Sequence, residues 1–391
     1  MIDVQKTAIV MAVGVDRQED TFIVTSQIAI PQSSKQGGAS ETVQLVSRGK
    51  TIADAFEEIN EKTGWYPKLV FCRLIVLGEK AAQENVFDAL DFFLLDEYMS
   101  DNCLIATCDG LAKDILNVTA LVDKSGSVAM QKVLSHHAER VGTVLPSTLR
   151  EFSIGYFSDS KSGFLPILKT QPQQEHVGGE TQNGSGGSEN SGSSGGSDSS
   201  GGAQSQSGAQ NSSSSGNGSS QEKPVFSASE TALFVFGKRV GTLTEEQTFA
   251  FNAVKKDLRL ATYTLQTPDA ACSLSIKHNT PKIKVSLGAN GQACVRITLK
   301  LSAGLLDYSK ALPVDKSADV GDVPSGVFFA AEKLLASQIH ETFEKCKSVN
   351  CDIFGVGEKL QKHEKKSYPQ IKDTALKNAT LEVDVSFENV R

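Results

Sequence analysis

Gly184-Ser185-Gly186-Gly187-Ser188 is representative of residues 171–223, which are almost wholly Ser, Gly, Gln and Asn. Such a stretch has almost no aliphatic or aromatic side chain with which to offset the entropy of ordering a backbone. Segments of this composition behave as flexible coils. The reading that decides the architecture is therefore a tether between two folded blocks, residues 1–170 and 224–391. The first block is one domain or two.

The chain has 391 residues, and without the tether there is room for two or three domains. A net charge of −7 argues against a nucleic-acid or anionic-membrane surface, and no Lys/Arg stripe interleaved with aromatics overturns that. The longest apolar run, Ala8-Ile9-Val10-Met11-Ala12-Val13, is far short of the ~20 residues a membrane-spanning helix needs. It also lacks the basic flank and cleavage site of a signal peptide, so the chain as written is expected to be soluble. The seven cysteines are scattered and form no Cys-x-x-Cys, which speaks against a disulfide scaffold and a zinc site. They read as small buried hydrophobes.

Taken in order, residues 7–13 form a buried strand. Phe22, Val24, Ser26, Ile28 and Ile30 alternate on one face of a second, and residues 41–47 make a third, giving an antiparallel meander. Ile52, Ala55, Phe56 and Ile59 form one helical stripe, with Thr51 and Asp54 in a capping-box pattern and Gly64 as the stop. Residues 69–77 read as a continuous interior strand. A helix over residues 81–98 turns Val86, Leu90, Phe93 and Leu94 inward. A strand at 103–108, a helix at 111–116 and a more polar helix over 127–141 follow, and segments 149–157 and 164–168 complete the block. The elements mix without a regular βαβ period, so the fold class is α+β, with mixed or antiparallel sheets packed by helices.

After the tether come a strand at 230–236, a turn at 237–241, and Thr244-Glu245-Glu246-Gln247, a capping box opening a helix. Strands are predicted at 260–266, 272–277, 282–287 and 293–301, the last two joined by the hairpin signal Gly288-Ala289-Asn290-Gly291. The longest helix covers residues 327–347, with Phe328, Ala331, Leu335, Ile339, Thr342 and Cys346 buried. Leu381, Val383, Val385 and Phe387 alternate in a final strand. One antiparallel sheet packed by a long helix is the simplest architecture for this block.

Residues suited to chemistry are few. Gly355-Val356-Gly357 has two glycines of a dinucleotide fingerprint but lacks the third and a leading strand, and reads as a turn ending the long helix. His136 and His137 are adjacent and point to different sides of a helix, whereas metal sites want His at i and i+4. His340, with Glu341 and Glu344, is an ordinary solvated face. No Gly-x-Ser-x-Gly stands between a strand and a helix, as a nucleophile elbow requires, and there is no Walker loop; the serines concentrate in the tether, where nothing holds one against a base. The reading is non-enzymatic: no catalytic, cofactor-binding or metal-binding residue is assigned.

Several stretches, in a shared order, are similar to the Ger(x)C family, the lipoprotein C subunits of nutrient germinant receptors in endospore-forming bacteria. Ile9-Val10-Met11-Ala12-Val13-Gly14-Val15-Asp16 resembles the family's opening strand, and Gly49-Lys50-Thr51-Ile52-Ala53-Asp54-Ala55 its first helix start. Leu74-Ile75-Val76-Leu77-Gly78-Glu79, Leu90-Asp91-Phe92-Phe93-Leu94 and Ala112-Lys113-Asp114-Ile115-Leu116 follow. In the second block, the stretch from Val235 to Glu246 resembles a strand–turn–helix entry. The most specific match is Cys351-Asp352-Ile353-Phe354-Gly355-Val356-Gly357-Glu358.

There are three departures. Met1-Ile2-Asp3 stands where family members carry a signal peptide and a lipid-modified cysteine. Leu95 or Asp96 occupies a position that often holds Arg. The tether is an insertion suggesting looser coupling of the blocks. The resemblance implies a non-enzymatic, extracytoplasmic subunit on the outer face of the spore inner membrane. It would be held by an N-terminal lipid anchor absent from this chain, beside membrane-spanning A and B subunits of a germinant receptor. The competing class is a secreted or cell-wall-associated ligand-binding protein, for which one Trp and 7% aromatic content supply a poor stacking platform.

Overall fold

The computed structural model describes residues 7–29, 42–118, 125–135, 138–171, 225–266, 270–288, 290–309 and 323–390. The expected tether (apart from Gln171), Ile30 and the His136–His137 pair lie outside them. β1 (Thr7–Gln18), β2 (Thr21–Ala29) and β3 (Thr42–Gly49) form the expected antiparallel meander. α1 (Ile52–Thr63) buries Ile52, Ala55, Phe56 and Ile59. Thr51 and Asp54 close a reciprocal capping box, and Gly64, at φ 70°, takes the left-handed conformation that ends the helix.

The apolar run at 69–77 is not one strand. β4 (Tyr66–Lys68) precedes it, and only Leu74–Leu77 forms β5. A turn, with the Cys72 amide donating to the Leu69 carbonyl at 2.8 Å, leaves Val70 and Phe71 on the surface. The helix expected over 81–98 is likewise two, α2 (Glu79–Gln83) and α3 (Phe87–Leu95). Between them the Val86 amide donates to the Gly237 carbonyl, so a neighbouring hairpin takes the hydrogen bond that would have continued the helix. Val86, Leu90 and Phe93 are buried as expected, and Leu94 is half-buried. β6 (Leu104–Cys108) and α4 (Ala112–Asn117) follow. α5 (Gly126–Ser135) and α6 (Ala138–Val141) cover the described part of the polar helix expected at 127–141, and β7 (Ser147–Thr148) leads into α7 (Leu149–Phe157) and β8 (Ser162–Gln171).

β1, β5, β6 and β8 run parallel at the centre of a ten-stranded sheet of order β10-β9-β8-β6-β5-β1-β2-β3, with β4 paired to β1 and β7 to β6 beside that path. β5 is fully buried, with Ile75 and Leu77 packed on the α1/α3/α7 side and Leu74 and Val76 on the α4/α5 side. A strand covered on both faces needs apolar residues at every position, and Leu-Ile-Val-Leu provides them.

β9 (Val225–Val235) and β10 (Lys238–Leu243) belong to this same sheet. β8 and β9 pair antiparallel from Ser162↔Val235 to Gln171↔Val225, so the residues on either side of the Ser/Gly stretch face each other across a ladder. The looser coupling expected from the insertion is therefore not found. The Phe236-Gly237 turn joining β9 to β10 has positive φ at both residues, 51° and 74°, the geometry of a tight hairpin.

α8 (Glu245–Lys255) opens on the expected capping box, Thr244 with Gln247. β11 (Ala261–Gln266), β12 (Ala271–Leu287) and β13 (Ala293–Tyr308) form an antiparallel set. β12 is one 17-residue strand where two were expected. Pro281 falls where β12 has become an edge strand, because β11 pairs only with Ala271–Ile276, and edge strands are where proline is accommodated. α9 (Ser325–Ser348) buries its whole expected stripe. α10 (Val356–His363) and α11 (Tyr368–Ile371) follow, and β14 (Thr380–Asn389) closes the sheet. β14 lies parallel to β13, not antiparallel, because the chain crosses back over the α9 layer before re-entering the sheet.

One apolar cluster joins the two sheets. It holds Leu145, Leu233 and Leu243 from the first part together with α8, the inner face of β11–β13, α9 and the stretch Cys351–Val356. Burying large side chains such as Phe251, Phe343 and Phe354 contributes ~1.5–3 kcal/mol each.

Candidate functional site

Two carboxylates, Asp16 buried and Asp352 half-buried, organise the stretches that carry the family resemblance. Asp16 ends the apolar part of β1 and is 2% exposed. It accepts the amides of Ala112 and Lys113 at 2.7 and 3.0 Å, capping α4 from 96 residues away in sequence. Burial raises its pKa above the ordinary carboxylate value, while the two amide hydrogen bonds act in the opposite direction. Gly78 is required here, because a Cβ at that position would collide with Asp16 Oδ1.

Asp352 repeats the arrangement in the second part. Its two oxygens accept the amides of Val356 and Gly357 at 2.8 and 2.7 Å, at the start of α10. Gly355 sits at φ 70° before that helix, so Gly355-Val356-Gly357 opens α10 and does not end α9. Burial again raises the carboxyl's pKa. The preceding Cys351 thiol donates to the Phe234 carbonyl at 3.3 Å, and the Asp352 amide donates to Ser162 Oγ at 2.9 Å. The motif thus docks α10 onto β8 and β9.

Beside this junction lies a cleft of about 480 Å³ lined by Phe152, Phe157, Asp159, Lys255, Glu358 and Tyr368, among others. Burial, with Asp159 close by, pushes the Tyr368 hydroxyl up to about 12. Lys255 is lowered by desolvation and by neighbouring Lys256. The cleft's lining combines carboxylates, serine hydroxyls, the Tyr368 phenol and one amine.

Six of the seven cysteines are buried and Cys294 is half-buried, in line with their reading as small hydrophobes. Burial pushes Cys351 up to about 12, and Cys108 and Cys346 are also raised. They are poor nucleophiles at neutral pH. Among the described residues no group of three or more His, Cys, Asp or Glu could hold a metal ion. His340 is exposed on α9; Glu341 accepts from Ser337 and Glu344 pairs with Lys347. The capping roles of Asp16 and Asp352 were not visible in the sequence, because each depends on a helix placed by tertiary structure.

Comparison with known proteins identifies what these features belong to. Residues 1–170 match the family model described as spore germination protein N-terminal domain, and residues 229–391 match spore germination B3/GerAC like, C-terminal. Spore germination protein B3 of Bacillus subtilis (strain 168) is 28% identical over 119 residues, which is 29% of this chain and 31% of that protein. The crystal structure of the GerBC protein matches with a TM-score of 0.53 at 15% identity, covering 97% of each chain, and so shares the fold. The two family models, matched in order, define a two-part α+β spore germination protein. The chain belongs to the Ger(x)C family, the C subunits of germinant receptors, a family of receptor subunits and not an enzyme family. Among the described residues no helix is long and apolar enough to cross a membrane.

Proposed function

We propose that this chain is a non-catalytic, lipid-anchored extracytoplasmic subunit of a spore germinant receptor. It would lie on the outer face of the spore inner membrane and assemble with the membrane-spanning A and B subunits during nutrient-triggered germination. The observation that carries this reading is the match of both family models, in order, across both parts of the chain. The side-chain chemistry supports it: the Asp16 and Asp352 carboxylates cap helices, and buried thiols with raised pKa values serve architecture. The test is a pull-down from dormant-spore membranes with the tagged full-length gene product. Recovery of a polytopic subunit and a second membrane partner is the expected result. A protein recovered alone, or released into the medium, would overturn it in favour of a secreted binding protein.

A further inference from the structure

A group of apolar side chains around β4 and the turn after it is conspicuous on the surface. Trp65 is 43% exposed, Tyr66 41%, Val70 45%, Phe71 50% and Tyr98 59%. They are contributed by β4, the turn that follows it, and the segment after α3. The Lys68 ammonium over the Tyr98 ring, 5.0 Å from its centroid, ties the last of these to the first. All lie at the end of the first sheet where the parallel strands begin. Tyr66 is the register partner of Thr7 and Lys68 of Ile9, the turn leads directly into β5, and the segment after Tyr98 leads into β6.

From this placement we infer that the Trp65–Phe71 turn, with Tyr98, dips into the headgroup layer of a phospholipid bilayer and sets the orientation of the chain on it. The inference rests on the membrane-anchored reading above. Trp and Tyr are the residues that favour the bilayer interface, where an apolar ring can be buried while its polar edge stays wet. The Lys68 ammonium can remain in water while its stem covers the Tyr98 ring. The chain's net charge of −7 points to insertion of aromatic tips and not to attraction by anionic lipid. The direction of the chain favours the bilayer over a protein partner. The chain enters the sheet at Thr7, the first residue of β1 and the register partner of Tyr66, so an N-terminal anchor would join the fold at the end that carries the patch.

Trp65 is the chain's single tryptophan, so it reports on this patch alone. The full chain, held by an N-terminal histidine tag on phosphatidylcholine vesicles doped with nickel-chelating lipid, is compared with the free chain. The tag supplies the tether, so the outcome does not depend on the natural anchor or on recovery of receptor partners. The expected result is a blue shift of Trp65 emission on capture and loss of most of its intensity when the acyl chains are brominated. The double variant Phe71→Ser, Tyr98→Ser keeps Trp65 and removes only exposed rings, and should lose most of that quenching while its far-UV dichroism is unchanged. Emission and quenching that stay at free-chain values with the protein fully captured would overturn the proposal. Quenching that persists undiminished in the double variant would also overturn it, because another surface would then be carrying the contact.

Discussion

Replacing residues 172–224 with Asn-Gly should stabilise the protein. Gln171 and Val225 are register partners at the end of the β8–β9 ladder, which runs through nine matched pairs back to Ser162↔Val235. The intervening 53 residues therefore close a hairpin that a two-residue turn can close, and Asn-Gly is the favoured sequence for such a turn. Closing a flexible loop costs about 0.6 kcal/mol per doubling of its length. Shortening 53 residues to two spans between four and five doublings, so the gain is ~2–3 kcal/mol, the lower figure allowing for strain in the new turn. Urea unfolding followed by circular dichroism measures it as a higher midpoint. The slope of free energy against urea should be unchanged, because a stretch that buries no surface contributes none on unfolding. A shortened chain that unfolds at lower urea, or that folds only as a dimer exchanging β9, would refute the pairing of β8 with β9 within one chain. A smaller slope would show that the Ser/Gly stretch buries surface.

The same ladder predicts that a chain cut at a protease site inserted within residues 172–224 elutes as a single species on gel filtration and separates into two pieces only in denaturant. Gly78→Ala should cost ~1–3 kcal/mol by forcing a methyl group against the Asp16 carboxylate. Thermal melts of G78A, D16A and the double variant should be non-additive, since D16A removes the atom with which the methyl collides. Thr51→Ala and Thr244→Ala should each cost ~1 kcal/mol, read as a lower urea midpoint, through loss of the two capping boxes. Asp352→Asn tests the sign of a titration. Burial raises the Asp352 pKa above 3.8, so its contribution is fully present below that pH and is lost as the pH rises through the folded value. The stability of the wild type relative to D352N should therefore fall with rising pH from 3.8, and a rise in unfolding experiments across that window would refute the assignment.

What could be read in the sequence is what depends on neighbours in sequence. Thr51 with Asp54 and Thr244 with Gln247 are i, i+3 pairs, and both capping boxes form as read. The α9 stripe follows one helical face and is buried throughout. What could not be read depends on partners far along the chain. β14 is parallel to β13 because of the path over α9, which no local pattern encodes. Val86 ends a helix because Gly237, 151 residues later, accepts its amide. β9 and β10 join the first sheet although the lowest-complexity stretch of the chain stands between them and it. The chemistry divides in the same way. Asp16 and Asp352 stand within recognisable motifs, but only the fold shows that each reaches across to a helix start.

The misread run at residues 69–77 has a more specific cause. Periodicity arguments assume that apolar residues are buried, and for Leu74–Leu77 they are, at 0% exposure. For Val70 and Phe71 the assumption fails, because a turn at Cys72 presents them outward next to Trp65 and Tyr66. At 45% and 50% exposure these side chains forgo about half of the ~1.5–3 kcal/mol that full burial of each would contribute. A sequence constrained only to fold would place polar residues there, as it does at Glu57 and Glu61 on the outer face of the adjacent α1. The residues that defeated the strand assignment are thus the ones whose exposure the fold does not explain. An apolar environment supplied from outside the chain would explain it, and the end of the sheet where β1 begins is where a membrane-anchored protein would meet one.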